Sequence, residues 1–94
     1  MHYKIILFPT AVSDIEDAYN YIFYSLQNPF AAIGTVREIK KQIDSLASNP
    51  ERQKFNEKYY YVRAKRYKIY YHISDDKVCI VRVIHSSRKA PVLH

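Results

Sequence analysis

From Pro9 onward the apolar residues in this chain change their spacing once, near Pro50, and that change sets the fold class. Before it they recur every three or four positions, as on one face of a helix; after it they come in short β-branched and aromatic runs. Ile15, Ala18, Tyr19, Ile22, Phe23 and Leu26 make a first helical stripe. Ile33, Val36, Ile39, Ile43 and Leu46 make a second, opposite Arg37, Glu38, Lys40, Lys41 and Asp44. Gln27-Asn28-Pro29 interrupts them, and a proline suits the first turn of a new helix because its missing N–H has no intrahelical partner there. The pattern predicts a helical hairpin. Ser13 or Thr10 is the expected N-cap of its first helix, with Asp14, Glu16 and Asp17 at the positive end of the dipole. Gly34 costs the second helix roughly 1 kcal/mol against alanine, and a close helix–helix approach is the expected reason. Asn49-Pro50 ends that helix.

Residues 3–8 are β-branched and aromatic and stop at Pro9, which predicts a strand. After a polar stretch at 51–58, read as loop, three more strands are expected at residues 59–64, 67–73 and 77–84, with Ser74-Asp75-Asp76 as a turn. In the middle one Ile69, Tyr71 and Ile73 share one side and Lys68, Tyr70 and His72 the other. The last is mostly apolar, as a strand inside a sheet must be. The expected architecture is α+β in the order β-α-α-β-β-β, a helical hairpin on one face of a largely antiparallel sheet. At 94 residues the chain has room for one core, so residues 1–94 are expected to be a single domain with one working surface.

Cys79 is the single cysteine and has no partner for an internal disulfide, which points to a reducing compartment, the cytoplasm. The longest apolar runs are too short to span a bilayer and nothing resembles a secretion signal, so no membrane association is expected. The net charge of +6 is unevenly placed. Residues 1–50 carry four cationic against five acidic side chains, residues 51–94 eleven against four. A one-sided basic field concentrates anionic ligands, so the second half is expected to meet a polyanion or an acidic protein. Six of the ten tyrosines lie between Tyr59 and Tyr71. Beside Arg63, Lys65, Arg66 and Lys68 they can stack on unpaired bases, or they can pack under the helices with their hydroxyls reaching water. No pair among His2, His72, His85 and His94 has ligand spacing, and no glycine-rich phosphate loop is present, so neither metal nor cofactor is expected.

Three stretches carry a family resemblance. They are Phe8-Pro9-Thr10-Ala11 with Asp14-Ile15 and Tyr21-Ile22; Asn28-Pro29-Phe30-Ala31-Ala32 through Ile43-Asp44-Ser45-Leu46-Ala47-Ser48-Asn49-Pro50; and Tyr67-Lys68-Ile69-Tyr70-Tyr71-His72-Ile73 through Val78-Cys79-Ile80-Val81-Arg82-Val83-Ile84-His85-Ser86-Ser87-Arg88. In this order they resemble the RelE/ParE superfamily of toxins from bacterial type II toxin–antitoxin modules, nearer the ParE branch, over almost the whole chain. The resemblance implies a growth-inhibiting protein, of the kind that stabilises plasmids, held inactive in a hetero-oligomer by a cognate antitoxin. A ParE-like member is expected to bind DNA gyrase.

A RelE-like member would instead be a metal-independent endoribonuclease, an mRNA interferase acting at the ribosome, which leaves open whether the chain is an enzyme. That reaction needs a base for the 2′-OH, cations for the phosphorane and an acid for the leaving oxygen. Lys68, His85 and Arg88 are the candidates for those roles: the resemblance supplies Arg88 and Lys68, the latter where such toxins carry a functional arginine, while His85 is a candidate because an ordinary imidazole suits acid–base work; lysine at 68 keeps the charge and loses the planar two-point grip. Lys89 would complete the closing basic pair and His94 correspond to a terminal Tyr or His. Arg63, Lys65, Arg66, Arg82, Lys89 and His94 are the candidates for binding nucleic acid or the target. Each also has a plain structural alternative: solvent-facing strand residues at Arg63 and Lys68, a hydrogen-bonded imidazole at His85. A third possibility is a non-toxic basic binding module on the same scaffold. For an antitoxin, the outer helix faces or the surface near the tail are the expected docking zones, where a groove with a basic rim suits an acidic amphipathic peptide.

Overall fold

The change of period at Pro50 is also the change of layer in the computed structural model, which describes residues 2–94. β1 (Lys4–Leu7) leads into α1 (Pro9–Asn20), extended by a π-helical turn at Tyr21–Ser25; α2 (Pro29–Ser45) comes next, then β2 (Gln53–Lys54), β3 (Tyr59–Ala64), β4 (Tyr67–Ser74) and β5 (Lys77–His85). The strands form one sheet in the order β1-β5-β4-β3-β2, with β1 parallel to β5 and every other pair antiparallel. β2 lies where the sequence pointed to loop. It is two residues pairing with Tyr60 and Tyr61, too short to leave a pattern.

α1 starts earlier than its expected caps. Phe8 precedes it without a side-chain hydrogen bond, and Pro9 opens the first turn. Neither Thr10 nor Ser13 caps it, since both lie inside the helix, and Thr10 turns instead to the edge of β5. β1 covers that edge only as far as Ile80. Beyond it α1 takes over: Phe8 N donates to Ile80 O at 2.9 Å, Thr10 Oγ1 to Val81 O at 2.7 Å, and Val83 N donates to Asp14 Oδ2 at 2.9 Å. Helix side chains thus satisfy strand groups that would otherwise be an open edge. α2 is capped by Asn28, whose side chain accepts from Ala31 N at 3.1 Å.

The main core lies between helices and sheet and includes Ile39, Ile43, Leu46, Ile69, Tyr71, Val78 and Ile80. A second cluster of Tyr59, Tyr70, Val81 and Ile84, packed by Phe55, Tyr61 and Leu93, covers the opposite face. Burial on both faces explains the nearly continuous apolar run of β5. A bulge beside Tyr70 and Tyr71 leaves Val81 as the extra residue, so that Val78 and Ile80 face the helices before it and Val83 after it.

Four residues depart from the stripe pattern read in the sequence. Leu26 and Ile33 are exposed, while Ala32 and Thr35 are buried. The π-helical turn, closed by Leu26 N donating to Tyr21 O at 3.0 Å, adds a residue and rotates the next part of the chain away from the core. Gly34 permits no close helix contact: a Cβ built there meets nothing within 4 Å. Among the described residues no helix is long and apolar enough to cross a membrane.

Candidate functional site

The end of β5 and the flank of α1 enclose a hollow of about 300 Å³ lined by Asp14, Asp17, Tyr21, Tyr67, His85, Ser87 and Arg88 among others. β4 and β5 set its floor through the pairing of Tyr67 with His85, whose rings meet edge to face at 5.2 Å. The chain then turns tightly: Ser86 N donates to Arg66 O at 2.7 Å and Arg88 N to His85 O at 3.0 Å, which brings Arg88 back over the hollow. His85 Nδ1 accepts from Ser87 N at 3.1 Å and lies 2.7 Å from Ser87 Oγ. A backbone donor on Nδ1 leaves the ring proton of the neutral imidazole on Nε2. Burial pushes the Tyr67 hydroxyl above its ordinary pKa, partly offset by the Arg88 guanidinium. It is therefore held as a neutral donor, and the hollow offers hydrogen-bond donors, one cation and the Asp17 carboxylate to a polar group.

Arg82 is committed elsewhere. Its Nε donates to Asp14 Oδ2 at 2.7 Å and its Nη2 to Asp14 Oδ1 at 3.2 Å, a two-point grip that fastens α1 to β5. The binding role expected for Arg82 thus gives way to a structural one in this geometry, and Asp14, expected at a helix dipole, proves to be the partner.

The remaining candidates divide by sheet face. Lys65, at a positive φ of 55°, forms the β3–β4 turn with Arg66. Arg63 and Lys68 stand directly opposite one another across the two strands, like charges in register. Lys68 follows Tyr67 in the strand and so points to the face away from the helices, where its Nζ lies 4.8 Å from the Tyr61 ring centre. Lys54 and Lys58 sit similarly over Tyr60 and Tyr59. Of the six clustered tyrosines, Tyr60, Tyr67 and Tyr71 pack under the helices and Tyr59, Tyr61 and Tyr70 on the other face. Lys89 is exposed in the tail. The tail then crosses the far face, where Leu93 packs and the His94 carbonyl accepts from Tyr59 Oη at 2.9 Å, at the other end of β3 from the Lys65 turn.

The fold therefore unites His85 with Arg88 and brings Lys65 and Arg66 to an adjoining groove, but it puts Lys68 and Arg63 behind the sheet and His94 at its far end. Asp17, Tyr21 and Tyr67 complete the hollow and were not candidates from sequence. Their only signal was position, since Asp14, Asp17 and Tyr21 repeat at helical spacing on one flank of α1.

The α+β scaffold that carries this hollow has known counterparts. The family model described as the ParE toxin of the type II toxin–antitoxin system, parDE, matches residues 5–90, and the chain belongs to that family. Among solved structures it is similar to a chain of the chromosomal ParDE toxin–antitoxin system from P. aeruginosa, with a TM-score of 0.78 at 14% identity over 89% of this chain and 96% of that one. It is similar also to a chain of the RelBE2 toxin–antitoxin complex from Mycobacterium tuberculosis, TM-score 0.60, 20% identity, 90% and 99% covered. The YoeB dimer from Staphylococcus aureus gives 0.60, 19% identity, 90% and 98%. These likenesses concern the fold. No curated protein matches.

Proposed function

We propose that this ParE-family chain is the growth-inhibiting partner of a toxin–antitoxin pair, acts in the bacterial cytoplasm by binding DNA gyrase, and is silenced by an antitoxin encoded beside it. The observation that carries the choice of a binding mechanism over RNA cleavage is the division of Lys68 from His85 and Arg88 by the sheet. A base, a phosphorane-stabilising cation and an acid have to surround one phosphate within hydrogen-bond reach. Residues on opposite faces of a strand pair do not converge in that way. His85 Nδ1 is moreover already occupied by the Ser87 backbone N–H. The hollow suits a recognition surface, since its donors and charges can read a protein side chain without bond breaking.

Induction in bacteria, followed by two assays on the purified protein, tests this. Inhibition of supercoiling or accumulation of gyrase-linked DNA breaks, with intact transcripts in a translating extract, is the expected result. Codon-positioned transcript cuts abolished by Lys68→Ala would establish the ribonuclease instead. Unimpaired growth with inert gyrase would leave a basic binding module.

A further inference from the structure

β3, β4 and the turn between them carry charge of one sign only. Residues 58–74 contain five cations, Lys58, Arg63, Lys65, Arg66 and Lys68, and no Asp or Glu. None of the five has a carboxylate partner among the described residues. Arg63 and Lys68 stand opposite each other in register, an arrangement that destabilises a sheet unless an anion lies between them. Both point away from the helices, because their strand neighbours Val62, Ala64, Tyr67 and Ile69 pack toward them.

The other side chains of that face define the kind of anion it suits. Its rings are not bare for stacking: Tyr59 and Tyr70 are buried, Lys68 Nζ lies 4.8 Å from the Tyr61 ring centre, and Lys58 Nζ lies 5.3 Å from that of Tyr59. Unpaired bases need open rings, which sets single strands aside. An acidic protein needs an apolar anchor beside the charges, and among the described residues none of the exposed large apolar side chains belongs to β3 or β4. What fits is a polyanion met through its charges alone. The cations bracket β3, with Lys58 before it and the other four at its close and beyond. Its six residues span about 20 Å, over which one strand of B-DNA presents about six phosphates.

Building on the gyrase reading for the source of the DNA, we propose that this face binds the sugar–phosphate backbone of duplex DNA, without regard to sequence. Arg63 and Lys68 share a phosphate, which removes their mutual repulsion, and Lys65 and Arg66 continue the track at the turn. The hollow of Tyr67, His85 and Arg88 lies on the helix side of the sheet, so gyrase protein there and DNA here do not compete. Two contacts made at once hold the chain more tightly to gyrase that already carries DNA than to gyrase alone.

Fluorescence anisotropy with a short labelled duplex, at several salt concentrations, tests the surface directly. The double variant Arg63→Gln with Lys68→Gln should weaken binding about 10-fold and lower the slope of log K against log salt by about 2, equally for duplexes of different sequence. Arg37→Gln with Lys41→Gln removes the same charge from exposed positions of α2 and should bind within about twofold of the wild type. Thermal unfolding checks that each variant is folded, and Lys65→Gln with Arg66→Gln repeats the test outside the strands. Equal losses from the sheet and helix variants would overturn the proposal, since net charge alone would then hold the DNA. Tighter binding of single-stranded RNA than of the duplex would overturn it too. Capture of gyrase with and without DNA separates the two readings. A wild-type chain that binds gyrase but no duplex overturns the DNA face and leaves the gyrase reading; one that binds the duplex but not gyrase overturns that reading and leaves the DNA face standing.

Discussion

Arg82 and Lys68 sit on adjacent strands of one sheet and meet opposite fates. Arg82 holds both oxygens of Asp14, which also accepts from the Val83 backbone, so its charge is spent on joining helix to strand. Lys68 lies on a tyrosine ring and faces Arg63 across the strands, and none of Arg63, Lys65, Arg66 and Lys68 has a carboxylate partner among the described residues. Both arginine and lysine count equally in the net charge of the second half. Of these two groups only the second has charge left for a partner, which makes the β3–β4 turn an available part of the basic field.

Removing the fixed charge's partner should have the largest effect. Asp14→Ala leaves the Val83 N–H and the Arg82 guanidinium without an acceptor and is expected to cost about 2 kcal/mol, the partial exposure of Arg82 letting water recover some of the loss. Urea unfolding should show this, with Asp14→Asn intermediate because an amide oxygen can still accept from Val83. If Asp14→Ala unfolds at the wild-type urea midpoint, Arg82 is as uncommitted as Lys68 and the contrast collapses.

Next in size at neutral pH, and larger only in alkali, is the contribution of Tyr71 on the helix-covered face. Tyr71 is fully buried, donates to Pro50 O at 2.7 Å, and is pushed up to about 12 chiefly by that burial. The unfolded chain loses this proton near its ordinary value of 10.0 while the folded chain keeps it. The folded state therefore loses stability from there up to about 12, at ~1.4 kcal/mol per pH unit. Tyr71→Phe should flatten that decline at a cost of about 1 kcal/mol at neutral pH.

His72, its neighbour on the other face, lies between the edges of Phe8 and Tyr59 and is held below its ordinary pKa by burial first and by Lys58 second. The unfolded chain then takes up the proton more readily, so stability should fall as pH drops below 6.5. His72→Gln should remove that acid-side slope in thermal melts.

The smallest effect concerns the free charges. Relieving the Arg63–Lys68 opposition by Arg63→Gln should leave stability unchanged or raise it by about 0.5 kcal/mol, and more at low salt than at high. A loss comparable to that of Asp14→Ala would mean that these cations have a structural partner after all.

The helices, the three long strands after Pro50 and the family were legible because period, proline breaks and turn residues act locally. The site was less so. Lys68 and Arg88 both read as basic residues near strand ends, and only the sheet puts them on different sides. Asp14 read as a helix-dipole acid because its distant partner is 68 positions away. Gly34 read as a packing glycine because the ordinary reason for a helical glycine is contact, and here it is space.

The α+β order, the two helices, the turns and the excess of cations after residue 50 are written in the sequence alone, since each rests on side-chain size, charge and backbone preference over a few residues. Tertiary structure decided which cations are neutralised, which face each occupies, and that Phe30, Leu26 and Gly34 border an open groove. Those outcomes depend on the parallel pairing of β1 with β5, the bulge at Val81 and the extra residue in the π-helical turn. Each is a shift of one residue or a pairing across most of the chain, and no local preference encodes either.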